Sequence, residues 1–143
     1  MIGYQQSEQA VIEALIEHFP QFNSHNCLPG DIDSIVDYMF SSPAYHGALV
    51  DFIGGQRRKP ENFNAYIWQW NILITILLRV DLETIEVDVR DILDRLATFA
   101  EKNRTLGGQV VKFDLNYIDR PEQGTIGDRP LKWIPVTSFV WDK

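Results

Sequence analysis

Cysteine is almost missing from this chain. Cys27 is alone among 143 residues, so no intrachain disulfide can form and a disulfide scaffold is excluded. Histidine is scarce as well: His18, His25 and His46 are far apart, and none has an H-x-x-x-H type of metal spacing, so core or solvated roles account for each. An excess of cations is also lacking. Thirteen Lys and Arg stand against twenty Asp and Glu, and a net charge of −7 argues against a protein that holds nucleic acid by neutralising phosphates. The most apolar run, residues 72–78, is too short to span a bilayer, and Met1-Ile2-Gly3-Tyr4 has neither the charged region nor the apolar stretch of a signal peptide. These absences lead to the expectation of a soluble protein of a reducing cytoplasm.

Chemical motifs are equally thin. Gly54-Gly55 and Gly107-Gly108 are followed neither by the Lys-Ser/Thr of a phosphate loop nor by G-x-G-x-x-G spacing, so both read as turn chemistry. Asp31 and Asp33 resemble the start of a calcium loop but lack the glycine and glutamate that should follow, which favours helix capping. Cys27 has only His25 near it in a polar stretch, a pattern better suited to an inert thiol than to a nucleophile. The expectation is no catalytic residues, no cofactor and no metal.

What is present is a well-patterned core. Hydrophobic residues make up 45% of the chain, enough to bury a core without cross-links, and the length suits a single domain, residues 1–143. Its N-terminal part, residues 1–42, reads as helical. Val11, Ile12, Leu15, Ile16 and Phe19 recur at helical spacing, with Ser7 placed as N-cap and Pro20 as stop; Ile32, Ile35, Val36, Met39 and Phe40 line a second helix before Pro43. The remainder, residues 43–143, reads as sheet and helix. Residues 44–53 form a strand closing on Gly54-Gly55, residues 56–62 an exposed tip, and residues 64–79 a long strand in which Tyr66, Trp68, Trp70, Ile72, Ile74, Ile76 and Leu78 alternate with more polar positions. A strand that long overhangs its core and offers an edge or a face to another subunit.

Ile85, Val89, Ile92, Leu93, Leu96, Phe99 and Ala100 then form one stripe of an acidic amphipathic helix, with Asp81 placed as N-cap and Gly107 as left-handed C-terminal cap. Its outer face interleaves Glu86 with Arg90 and Asp91 with Arg95, a solvated pattern rather than a cation site. Val111, Phe113, Leu115 and Tyr117 mark a further strand, residues 119–130 a polar loop too long for a tight turn, and residues 131–141 a last strand whose Pro135 suggests an edge or bulge. The fold class expected is α+β: a mostly antiparallel four-stranded sheet packed on one face by the long amphipathic helix and the N-terminal helix.

The order strand ending in Gly-Gly, long strand, helix stopped by Arg104-Thr105-Leu106-Gly107-Gly108, strand, loop, strand resembles the tail terminator proteins of long-tailed bacteriophages. The resembling stretches are residues 43–55, 68–79, 87–108 and 133–141; the helix at residues 31–40 departs from the shorter family members. The resemblance implies a non-enzymatic structural protein of the virion tail or neck, assembled in the host cytoplasm. It implies a ring homo-oligomer, usually a hexamer, that stops tail-tube polymerisation and has the tube protein and the head connector as partners. DNA passes only as cargo through the lumen, which an acidic wall would not hold. Candidate interface residues are the basic cluster Arg57, Arg58 and Lys59, and the loop residues Asp119, Arg120, Glu122, Gln123, Asp128 and Arg129. Other readings are a neighbouring neck or tail-completion protein, a phage-derived injection or defence component, and, in a different class, a small α+β ligand-binding domain or enzyme in which Tyr66, Trp68 and Trp70 line a pocket.

Overall fold

The computed structural model describes residues 1–42 and 44–143; Pro43, which bounds the second helix and the first resembling stretch, lies outside them. Among the described residues three helices, α1 (Tyr4–His18), α2 (Ile32–Ser41) and α3 (Ile85–Lys102), accompany six strands: β1 (Cys27–Pro29), β2 (His46–Arg58), β3 (Ile67–Arg79), β4 (Lys112–Ile118), β5 (Glu122–Ile126) and β6 (Arg129–Asp142). The class is α+β. The expected four antiparallel strands are corrected to a mixed, unclosed sheet of six, ordered β1-β2-β3-β6-β4 with β5 also on β6, in which β1 joins β2 in parallel.

Strand parity divides the apolar residues between two layers. Ile72, Ile74, Ile76 and Leu78 of β3 point with Ala48, Val50, Ile134, Val136 and Val140 into the main core, where α1 supplies Val11, Ile12 and Leu15 and α3 supplies Val89, Ile92, Leu96 and Phe99. Leu77 and Leu131 face the other way and are covered by Ile35, Val36 and Met39 of α2. Helices therefore lie on both faces of the sheet, which corrects the expected one-sided packing. The physical reason is visible at Gly47: a Cβ there would stand 2.5 Å from Ile35 Cγ2 and 2.9 Å from Met39 Sδ, so glycine lets α2 lie close against β2. Farther along β3 the same face carries Gln69, Asn71, Leu73 and Thr75.

Several boundaries move for identifiable causes. α1 begins one turn earlier than expected, after Gly3 at φ 85°; Ser7 is fully buried inside the helix and donates its hydroxyl to Gly3 O at 2.7 Å instead of capping. Asp31 does cap α2, accepting from Ser34 N–H at 3.1 Å. Asp81 does not cap α3. Its carboxylate grips the Arg79 guanidinium at 2.5 and 3.0 Å, and the N-cap position of α3 falls to Thr84, which makes no side-chain capping bond. α3 stops at Lys102, and Gly107, at φ 70°, belongs to the turn that follows rather than to the cap.

β2 does not end at Gly54-Gly55. A bulge between Phe52 and Gly54 lets the strand continue to Arg58, so the connection to β3 is residues 59–66. The expected loop 119–130 is mostly hairpin: β5 pairs with β6 through a two-residue turn, Gly127-Asp128, with Gly127 at φ 61°. Its strand was hidden because Gly124 replaces an apolar residue; a Cβ there would meet the Trp133 ring at 2.8 Å. Pro135 sits in an interior strand, opposite the gap between β4 and β5, where its missing N–H breaks no ladder and its carbonyl accepts from Asp119 N–H at 2.8 Å.

Candidate interaction surface

The β2–β3 hairpin runs past the helices and carries different chemistry on its two faces. On the face that carries α1 and α3, Trp68 and Trp70 stack with ring centroids 5.0 Å apart and planes 4° from parallel, while Tyr4 stacks on Phe52 at 4.6 Å and meets Trp70 edge-on. Phe52, Ile53, Tyr66 and Trp68 remain 36–59% exposed. A cluster of aromatic side chains in mutual contact and partly in water, here Tyr4, Phe52, Trp68 and Trp70, marks an interaction surface more often than a scatter of single residues does.

Asp142 anchors this cluster. It is 2% exposed and accepts from Ile2 N–H at 3.0 Å, Gly3 N–H at 2.8 Å and Trp70 Nε1–H at 2.9 Å, so the last residue of β6 ties the N-terminus and the indole together. Glu8 accepts from the outward Phe52 N–H at 2.7 Å. Partial burial, and less strongly the Asp51 charge, raise its pKa above the ordinary glutamate value against the pull of that hydrogen bond.

The opposite face of the hairpin is polar and cationic. Gln69 Oε1 accepts from Arg58 Nη1 at 2.8 Å and from Trp141 Nε1 at 3.0 Å, and Gln69 Nε2 donates to Asn71 Oδ1 at 3.0 Å. The Lys112 ammonium lies 4.8 Å from the Trp141 ring centroid and 5.6 Å from Phe139, with the Arg58 guanidinium 5.3 Å from Trp141.

The structure places the two groups of candidate residues at opposite ends of the sheet. Arg57 and Arg58 are strand residues rather than loop residues; Arg57 lies over Tyr66 at 4.8 Å, and Lys59 is exposed just beyond them. Asp119 and Arg120 form the exposed link between β4 and β5, and Glu122 and Gln123 are exposed on β5 opposite Trp133 and Lys132. Asp128 is in the turn. Arg129 bonds Asp37 of α2 at 2.6 Å and lies over Phe40, which gives it a role in holding α2. Tyr4, Gln69, Lys112, Trp141 and Asp142 carry no local signal in the sequence, because each acquires its partners from another segment: Tyr4 from β2 and β3, Lys112 from β6, and Gln69, Trp141 and Asp142 from the pairing of β6 with β3.

The remaining reactive groups are separately occupied. Burial pushes the Cys27 thiol up to about 12, so at neutral pH it is neither thiolate nor nucleophile. His46 Nε2 contacts Asp88 of α3, His18 meets Arg95 O at 3.2 Å, and His25 stacks on Tyr38. Among the described residues no group of three His, Cys, Asp or Glu converges as for a metal ion, and no helix is long and apolar enough to cross a membrane. Tyr66 stands 59% exposed and Trp68 and Trp70 stack on one another, an arrangement that offers a surface. No family model matches this chain, and no curated protein matches it.

Proposed function

We propose that this chain is a tail terminator of a long-tailed bacteriophage or of a particle derived from one: a structural subunit that assembles into a ring at the head-proximal end of a tail tube, stops its growth and joins it to the head connector. The observation that supports this reading most is the overhanging β2–β3 hairpin, with exposed aromatics on one face and cations at its end, on a sheet that is left unclosed. A subunit whose sheet ends in free edges and whose apolar surface is offered sideways suits a cyclic assembly. The acidic outer residues of α3 and the net charge of −7 suit a wall past which DNA slides without being held. The Asp119-to-Arg129 end would then face an axial neighbour, tube or connector.

Light scattering over a wide concentration range, with negative-stain images, tests the oligomer; adding the protein to growing tail tubes tests the role. A closed ring that fixes tube length supports the reading. Rings that leave tube growth unchanged, or a chain that stays monomeric even with tubes present, would overturn it and move the ligand-binding alternative forward.

A further inference from the structure

We infer that the groove between α3 and β4 is the receptor for the aromatic end of the β2–β3 hairpin of a second copy of this chain, so that copies join head to tail; this rests on the ring reading above and supplies its contact. The groove encloses about 540 Å³ and has Leu96, Ala97, Ala100, Leu115 and Ile118 as its apolar lining. Ala97 is exposed on α3, so the helix presents a low wall at the position where a bulky side chain would close the groove.

Three features identify the occupant. The first is chemistry: Phe52, Ile53, Tyr66 and Trp68 are the exposed apolar residues of the hairpin end, and the apolar part of the groove's mixed lining offers them cover from water. The second is charge. Arg57, which lies over Tyr66, flanks those aromatics with Lys59 just beyond it, while Glu101 and Asp114 border the groove against a single cation, Arg104. The third is position. Phe52 pairs opposite Ile72, Ile72 opposite Ser138, and Ser138 opposite Leu115, so Phe52 and the Leu115 wall of the groove stand at the same height on the two sides of one sheet, with Trp68 and Arg57 farther out toward the hairpin tip. Ile72 points into the main core between the sheet and α1 and α3, and this register puts Phe52 and Leu115 on that same helix-bearing face.

That geometry sets the symmetry. A neighbour generated by rotation about an axis along the strands, with no rise, brings the Phe52 level of the hairpin to the groove; a rotation without rise closes into a ring, whereas one with rise gives a filament. The contact is made by side chains and does not extend the sheet. Phe113 N–H is taken by Arg104 O, Leu115 N–H by Asp114 Oδ1 at 2.8 Å, and Phe52 N–H by Glu8, so at the level of the contact these three backbone donors are already occupied and strand addition is disfavoured there.

The test uses two surface variants of the whole chain. Ile53→Asp spoils the hairpin side and Ala97→Glu the groove side, both at exposed positions, with Tyr66→Glu and Tyr117→Glu as a second pair should either of the first fail to fold. In sedimentation velocity each variant alone is expected to self-associate at least about tenfold more weakly than the wild type. A 1:1 mixture should form a complex of two 16.5 kDa chains and nothing larger, because only one intact hairpin-groove pair remains. A folded variant that keeps wild-type rings, a mixture that stays monomeric, or a wild type that never self-associates overturns the inference. Tube capping is read separately: rings that cap tubes but survive Ile53→Asp sink this contact and leave the terminator role, while complementing variants whose parent fails to cap tubes do the reverse.

Discussion

Replacing Asp142 by alanine removes one carboxylate and leaves three donors without their partner: the N–H groups of Ile2 and Gly3 and the Trp70 indole. A hydrogen bond to a charged group contributes about 1.5–3 kcal/mol. The two backbone donors are only partly buried and regain water, so the sum is discounted to about 3–4 kcal/mol. That is a large share of the stability of an ordinary domain and corresponds to a fall in melting temperature of roughly 6–16 °C for a chain near this length. Urea unfolding followed by tryptophan fluorescence measures it, with the m-value checking that the transition stays two-state. Trp70→Phe completes a double-mutant cycle whose coupling with Asp142→Ala should be about 1.5 kcal/mol. A loss below about 1 kcal/mol, or strict additivity with Trp70→Phe, would refute the anchoring role assigned to this carboxylate.

Three further outcomes follow from the packing and the titrating groups. Gly47→Ala should cost about 1–3 kcal/mol in thermal unfolding, since its Cβ meets Ile35 and Met39 and α2 must shift away from β2; an unchanged melting temperature would contradict the close helix–sheet approach. Cys27, buried with its thiol near 12, should resist a thiol reagent at pH 8 in the native state and react at once in denaturant; rapid native labelling would show that the site opens. Glu8 has a folded pKa raised above 4.5, so the stability linked to its protonated form is complete below that value and is lost as pH rises through the folded pKa. Glu8→Gln should therefore melt higher than the wild type at pH 7 and converge with it below pH 4.5, as followed by calorimetry; a variant less stable at pH 7 would reverse the sign.

How much of this was legible depended on whether a residue's surroundings are local. The stripe Val89, Ile92, Leu96 and Phe99 and the alternation Ile72, Ile74, Ile76 and Leu78 are enforced by periodicity, and the structure buries all of them. Turn chemistry was legible less well. Gly54-Gly55 reads as an end, yet the bulge beside it carries β2 onward, because the partner strand β3 is long enough to keep pairing. β1 and β5 escaped notice since three residues, and five with a glycine among them, hold no period. The basic cluster is visible in the sequence, but the division of Arg57 and Arg58 between the two faces of β2, with Lys59 alone in the connection, is not.

Composition and spacing alone were sufficient for the α+β class, the three helices, the long paired strands and the absence of any disulfide, because each depends on covalent content or on a repeat within one segment. Tertiary structure decided the rest. Which face α2 covers, which strand ends lie level, and which aromatics stay in water depend on register between segments up to 140 residues apart, such as Ile2 and Asp142. Register is a property of pairing, and β3 is apolar on both of its faces over much of its length, so its pattern fits either side of the sheet until a neighbour such as Gly47 makes room for one helix and not the other.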